Sequence, residues 1–114
     1  MIYFVGAGPG APDLITLRGK RLLEDADQII YAGSLVNPAL LEWAKPGCVF
    51  YNSASMTLEE VTECFAEGER KQWISLRLHT GDPSIYGAIR EQMDRLESLG
   101  FGYEVVPGVS SFSA

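Results

Sequence analysis

The sequence predicts an α/β fold: a five-stranded, mainly parallel sheet with helices on both faces. Three observations carry that expectation. Short apolar runs recur along the 114 residues, the stretches between them follow helical spacing, and no Ser- or Pro-rich linker divides the chain. The runs are Ile2 to Val5, Gln28 to Tyr31, Cys48 to Tyr51, Trp73 to Leu78 and Tyr103 to Val106. They read as strands buried on both faces, the pattern of a parallel sheet covered by helices.

Four helical patterns fill the gaps. The first takes Thr16 as its N-cap and carries Leu17, Leu22, Leu23 and Ala26. A short second one spans about Pro38 to Ala44 and stops at Lys45-Pro46-Gly47. The third opens with a capping box, Thr57 with Glu60, and turns Leu58, Val61 and Phe65 inward. In the fourth, Ile85, Ile89, Met93, Leu96 and Leu99 keep helical spacing, and Gly100 occupies the position of a C-terminal glycine. Its Arg90, Glu91, Asp94, Arg95 and Glu97 form a solvated face.

Composition narrows the function. A formal charge of -6, with nine Lys and Arg scattered along the chain, argues against a nucleic-acid partner. The apolar runs fall far short of a membrane span and the start lacks the basic region of a signal peptide, so a cytoplasmic protein with no membrane partner is expected. Cys48 and Cys64 are not a close-spaced pair and His79 is the single histidine, so no metal site is expected. Both cysteines read as core-lining or incidental. His79 ends an apolar strand, where a structural and a catalytic role both remain open.

In such sheets ligands sit outside the carboxyl ends of the strands. Five loops follow those ends: Gly6 to Ile15, Ala32 to Asn37, Asn52 to Met56, Thr80 to Ser84 and Pro107 to Ala114. The first, Gly6-Ala7-Gly8-Pro9-Gly10-Ala11, formally satisfies the dinucleotide fingerprint. Pro9 and Pro12 favour an extended loop that delays the helix, however, and no acid follows Tyr31. A nucleotide or dinucleotide-binding domain is therefore an alternative, as is a non-enzymatic ligand-binding domain. The glycines allow a tight turn or close approach of backbone to a ligand, and their density favours the ligand. In Thr80-Gly81-Asp82-Pro83-Ser84, Asp82 or Ser84 can cap the next helix or face a ligand. The hydroxyls of Pro107 to Ala114 suit either role. A sheet ending there, on a strand and a loop, calls for a further covering element.

Taken together, Gly6 to Gly10, Gly81 to Pro83 and Pro107 to Ser110 resemble the tetrapyrrole methylase family. Tyr31 to Pro38, Asn52 to Thr57 and Arg77 to Gly87 are similar to the branch of that family that methylates precorrin-4 at C-11. The resemblance covers the whole chain. It implies residues 1–114 as the N-terminal α/β domain of a bilobed enzyme whose C-terminal domain lies outside this chain, and a fragment inactive by itself. It implies S-adenosylmethionine as methyl donor, a precorrin-type tetrapyrrole as substrate, a place in cobalamin synthesis, and a homodimer at full length. The resemblance assigns cofactor contacts to Pro9, Thr80, Gly81, Asp82, Ile85, Ser110 and Ser111. A macrocycle bearing many carboxylates would find partners in Ser34, Asn37, Ser53, Ser55 and Arg18, although Arg18, Lys20 and Arg21 also read as a solvated helix face. Where some relatives carry an acid and a lysine, this chain has Ala32 and Ser53, and no catalytic base is assigned.

Overall fold

A computed structural model of the chain describes residues 1–7, 17–31, 41–80 and 86–106. Five strands form one sheet: β1 (Ile2–Ala7), β2 (Gln28–Tyr31), β3 (Val49–Asn52), β4 (Ser75–Thr80) and β5 (Tyr103–Val106). Their order is β3-β2-β4-β1-β5 and every pairing is parallel. The described helices are α1 (Leu17–Asp25), α2 (Leu58–Arg70) and α3 (Tyr86–Ser98), with a 3-10 turn at Ser53–Ser55. None is long and apolar enough to cross a membrane.

The predicted fold class is the observed one, but the strand bounds move and the edge strands are not buried on both faces, Phe50 and Tyr51 of β3 and Val105 of β5 being exposed. The fourth run begins at Trp73 in sequence, yet β4 starts at Ser75 and continues to Thr80. Trp73 and Ile74 are spent on the turn before it. The Trp73 amide closes the end of α2 on Gly68 O at 2.8 Å, and the Ile74 amide donates to the Asp27 carboxylate at 2.8 Å. At the other end β4 pairs with β1 through His79 opposite Gly6 and Thr80 opposite Ala7, so ladder bonds carry the strand past its apolar stretch.

Strand alternation sends side chains to two cores. Val5, Ile29, Leu76, Leu78 and Val106 meet Leu23 and Ala26 on the α1 side. Ile2, Phe4 and Ile30 meet Val61 and Phe65 of α2 and Ile89 and Leu96 of α3 on the other. Phe4 anchors this second core, with Phe65 at 6.0 Å and Tyr103 edge-on at 5.5 Å between ring centroids. The two faces follow from handedness. The chain leaves β1 towards β2 and leaves β4 towards β5, in opposite directions along the sheet, so right-handed crossovers put α1 and α3 on opposite sides.

The predicted capping box is present at the start of α2. Thr57 Oγ1 accepts from the Glu60 amide at 3.1 Å, and Glu60 Oε1 accepts from the Thr57 amide at 3.0 Å. Gly100 takes φ +82° after α3, as a terminal glycine should. Leucines of the helical patterns are not all enclosed: Leu22 and Leu58 are only half-buried, Leu17 is 66% exposed, and Leu99, just past the last turn of α3, is 53% exposed. Of the short second helix only its end is described, with Leu41 helical and a turn through Ala44, whose amide donates to Leu41 O at 3.3 Å. Thr16 and Ile85 lie outside the described residues.

Beneath α2 sits a small polar cluster. Buried Gln28 donates from Nε2 to Cys64 O and to Ser75 Oγ, each at 2.8 Å. Gly68 of α2 faces this pair, and a Cβ there would collide with Gln28 Nε2 and Ser75 Oγ. In an ordinary helix interior Gly→Ala gains about 1 kcal/mol. Here the sign should reverse: Gly68→Ala is expected to lose roughly 1 to 3 kcal/mol through overpacking, measured by urea unfolding. A stabilised variant would show that the cluster yields easily.

Candidate functional site

All five strands being parallel, their carboxyl ends, Ala7, Tyr31, Asn52, Thr80 and Val106, share one edge of the sheet. The opposite edge is stitched shut by short bonds. Asp27 accepts from Lys45 Nζ and from the Ile74 amide, both at 2.8 Å, and the Met1 ammonium donates to Trp73 O at 2.8 Å. The Lys45 bond, then the Ile74 amide, hold the Asp27 carboxyl below its ordinary range, so it stays ionised as part of the scaffold.

The carboxyl edge has a centre. β1 and β4 are neighbours whose outgoing connections diverge, one passing β4 to reach β2 and the other passing β1 to reach β5. A crevice opens where adjacent connections part in this way, and it is the usual ligand site of open α/β sheets. Gly6 and Ala7 end β1 in register with His79 and Thr80 of β4.

The residues singled out in sequence distribute over this edge by strand. Thr80 is the last residue of β4, in register with Ala7. Pro9, Gly81, Asp82, Ile85, Ser110 and Ser111 lie outside the described residues, as do Ser34 and Asn37. By chain position the expected cofactor contacts follow β1, β4 and β5, which are contiguous in the sheet, and the expected substrate contacts follow β2 and β3, which are also contiguous.

Ser53 is half-buried and its Oγ donates to Tyr31 O at 3.1 Å, tying the end of β3 to the end of β2. The hydroxyl's proton is therefore committed and its free capacity is as an acceptor. Asn52 Oδ1 accepts from the Ala54 amide at 3.0 Å and holds the turn, leaving Ser55 exposed. Arg18, in the first turn of α1, forms an ion pair with Glu104 of β5, with side chains 58% and 41% exposed. A pair so open to water contributes little to stability. His79 is half-buried in β4.

Cys48 and Cys64 are free thiols packed against the two cores, and burial raises both above the ordinary thiol range. Among the described residues no three His, Cys, Asp or Glu side chains gather as metal ligands. Sequence reasoning passed over Arg77, which is 3% exposed within β4. A lone cation at an alternate position of an otherwise apolar run was the signal.

The fold and this edge define a class: an open parallel α/β domain with a switch point between β1 and β4. Within that class, the chain belongs to the tetrapyrrole (corrin/porphyrin) methylases, whose family model matches residues 1–114. The cobalt-precorrin-4 C(11)-methyltransferase of Methanocaldococcus jannaschii is 54% identical over 113 residues, 99% of this chain and 44% of the relative. The X-ray structure of a cobalt precorrin-4 methyltransferase, CbiF, superposes with a TM-score of 0.88 at 47% identity, covering 96% of this chain and 46% of that one. A uroporphyrin-III C-methyltransferase of Thermus thermophilus, complexed with S-adenyl homocysteine, gives a TM-score of 0.76 at 37% identity over 99% of this chain and 46% of that one. The chain thus spans about half the length of the relatives it matches.

The link between β3 and β2 can be tested directly. Replacing Ser53 by Ala leaves Tyr31 O without its side-chain donor and should cost about 1 kcal/mol of folding free energy by denaturant unfolding. An unchanged midpoint would mean that water serves that carbonyl equally well.

Proposed function

We propose that this chain is the N-terminal α/β domain of an S-adenosylmethionine-dependent enzyme that methylates a precorrin-4-type tetrapyrrole on carbon, in cobalamin synthesis. The observation that carries the reading is the 54% identity, over 99% of the chain, to a cobalt-precorrin-4 C(11)-methyltransferase. Because the chain spans 44% of that relative, the remaining half of the site would come from a second domain, and residues 1–114 alone would be inactive. The whole enzyme is proposed to be a cytoplasmic homodimer.

The fit of the methyl donor rests on the edge described above. β1 and β4 end in Gly6-Ala7 and His79-Thr80, Gly6 having no side chain to keep a ligand from the backbone, and open α/β sheets usually take a ligand at such a switch point. S-adenosylmethionine would bring an electrophilic methyl group on a sulfonium. Pro9, Thr80, Gly81, Asp82, Ile85, Ser110 and Ser111 would hold it, largely through backbone groups. Ser34, Asn37, Ser53 and Ser55 would engage the tetrapyrrole after β2 and β3, Ser53 as an acceptor. A carbon nucleophile already present in the macrocycle needs no activated side chain. What the protein contributes is orientation, bringing the two reactants into line at near-contact distance.

Two experiments on the full-length protein test this. S-adenosylhomocysteine should raise the melting temperature while NAD and FAD do not, since only a ligand bound by the folded state stabilises it. Stabilisation by NAD or FAD instead would favour a dinucleotide domain. In calorimetric titration, Asp82→Ala should weaken cofactor binding by more than the roughly 1 kcal/mol that loss of a helix cap costs in stability. Unchanged affinity would leave Asp82 as a helix cap only.

A further inference from the structure

Arg77 is the one described arginine whose side chain is fully enclosed, at 3% exposure. Its Nε donates to Gln92 Oε1 of α3 at 3.1 Å, and its Nη1 donates to Leu78 O at 2.7 Å and, at a long 3.5 Å, to Ile30 O. No ion pair to a described carboxylate accompanies these bonds to neutral oxygens. Burial pushes the guanidinium down to about 10, so it stays charged at neutral pH. Enclosing a cation with no carboxylate partner among the described residues is costly, and an apolar side chain of similar volume would serve the core as well or better.

The location gives the cost a purpose. The β2–β4 ladder ends at the pair Ile30 and Arg77. Beyond it Tyr31 stays paired with Asn52 of β3, while Leu78, His79 and Thr80 stay paired with β1. The sheet therefore forks at Arg77, with β2 and β3 in one branch and β4, β1 and β5 in the other. The guanidinium donates to a carbonyl on each side of the fork, Ile30 on β2 and Leu78 on β4. Through Gln92 it also ties the fork to α3, the helix that the segment after β4 leads into.

We propose that Arg77 is a positioning residue that fixes the spacing of this fork and thereby the alignment of methyl donor against ring carbon. The inference rests on the function proposed above, in which the donor is held after β1, β4 and β5 and the acceptor after β2 and β3. Within this domain each reactant then keeps its own contacts in one branch, and the fork sets their mutual distance. A planar, forked cation can bridge two carbonyls and an amide at once; a lysine ammonium, a point charge on a flexible stem, cannot hold the same three. Displacing aligned reactants by about 1 Å can cost roughly a hundredfold in rate.

The test is the kcat against KM split in the full-length enzyme, assayed with precorrin-4 or cobalt-precorrin-4, alongside S-adenosylhomocysteine affinity. Arg77→Lys should lower kcat at least about tenfold while KM and the dissociation constant stay within about threefold, at an unchanged folded fraction by circular dichroism. A kcat within threefold of the parent, or a loss confined to KM or to cofactor affinity, would overturn the assignment. Should Arg77→Lys fail to fold, Gln92→Leu, which cuts the tether to α3, decides by the same split: a selective fall in kcat supports the role and an unchanged kcat removes it. A parent enzyme that neither binds S-adenosylhomocysteine nor methylates a tetrapyrrole would instead defeat the function reading itself.

Discussion

The parallel direction of every strand is the constraint on which the rest of this structure depends. Each crossover must carry the chain from the carboxyl edge back to the amino edge, so all five strands release their loops on the same side. The two edges then acquire different work. At the amino edge Asp27 binds Lys45 and the Ile74 amide, and Trp73 binds Met1 and Gly68, which closes the sheet. At the carboxyl edge the connections leaving β1 and β4 part in opposite directions, the arrangement at which open α/β sheets usually take a ligand.

The two faces of the sheet are equally unlike each other. On the α1 side, β4 contributes Leu76 and Leu78 to an apolar core. On the α2 and α3 side the same strand presents Ser75 and Arg77 to buried Gln28 and Gln92. Apolar contacts tolerate sliding, whereas hydrogen bonds between buried groups need particular partners. The polar line through β4 therefore fixes the register of β2 against β4 and the seat of both helices. It reaches from the Gly68 contact near the amino edge to the fork at Arg77.

Much of this was legible in the sequence because it rests on local rules. The Thr57 and Glu60 capping box and the terminal Gly100 are written in a few adjacent residues, and both form as read. Strand existence followed from apolar runs, but strand ends did not, since Trp73 and Ile74 are apolar for a turn while His79 and Thr80 are polar and still pair with β1. Leu99 kept helical spacing but fell one residue past Ser98, where the helix had ended. The shared carboxyl edge was legible, since parallel strands release their loops on one side. Arg77 was not: its partners Ile30 and Gln92 lie 47 and 15 residues away, and only the fold brings them together.

In the proposed function the carboxyl edge around β1 and β4 receives the methyl donor. Hydrogen exchange on the full-length protein, with and without saturating S-adenosylhomocysteine, tests it most directly, because amide protection reports where a bound ligand stabilises the backbone. Protection concentrated in residues 6–16, 80–86 and 106–114, with the amino-edge turns at 45–48 and 71–74 unchanged, is the predicted result. Protection centred on those amino-edge turns, or on β3 without the segments after β1 and β4, would contradict the account.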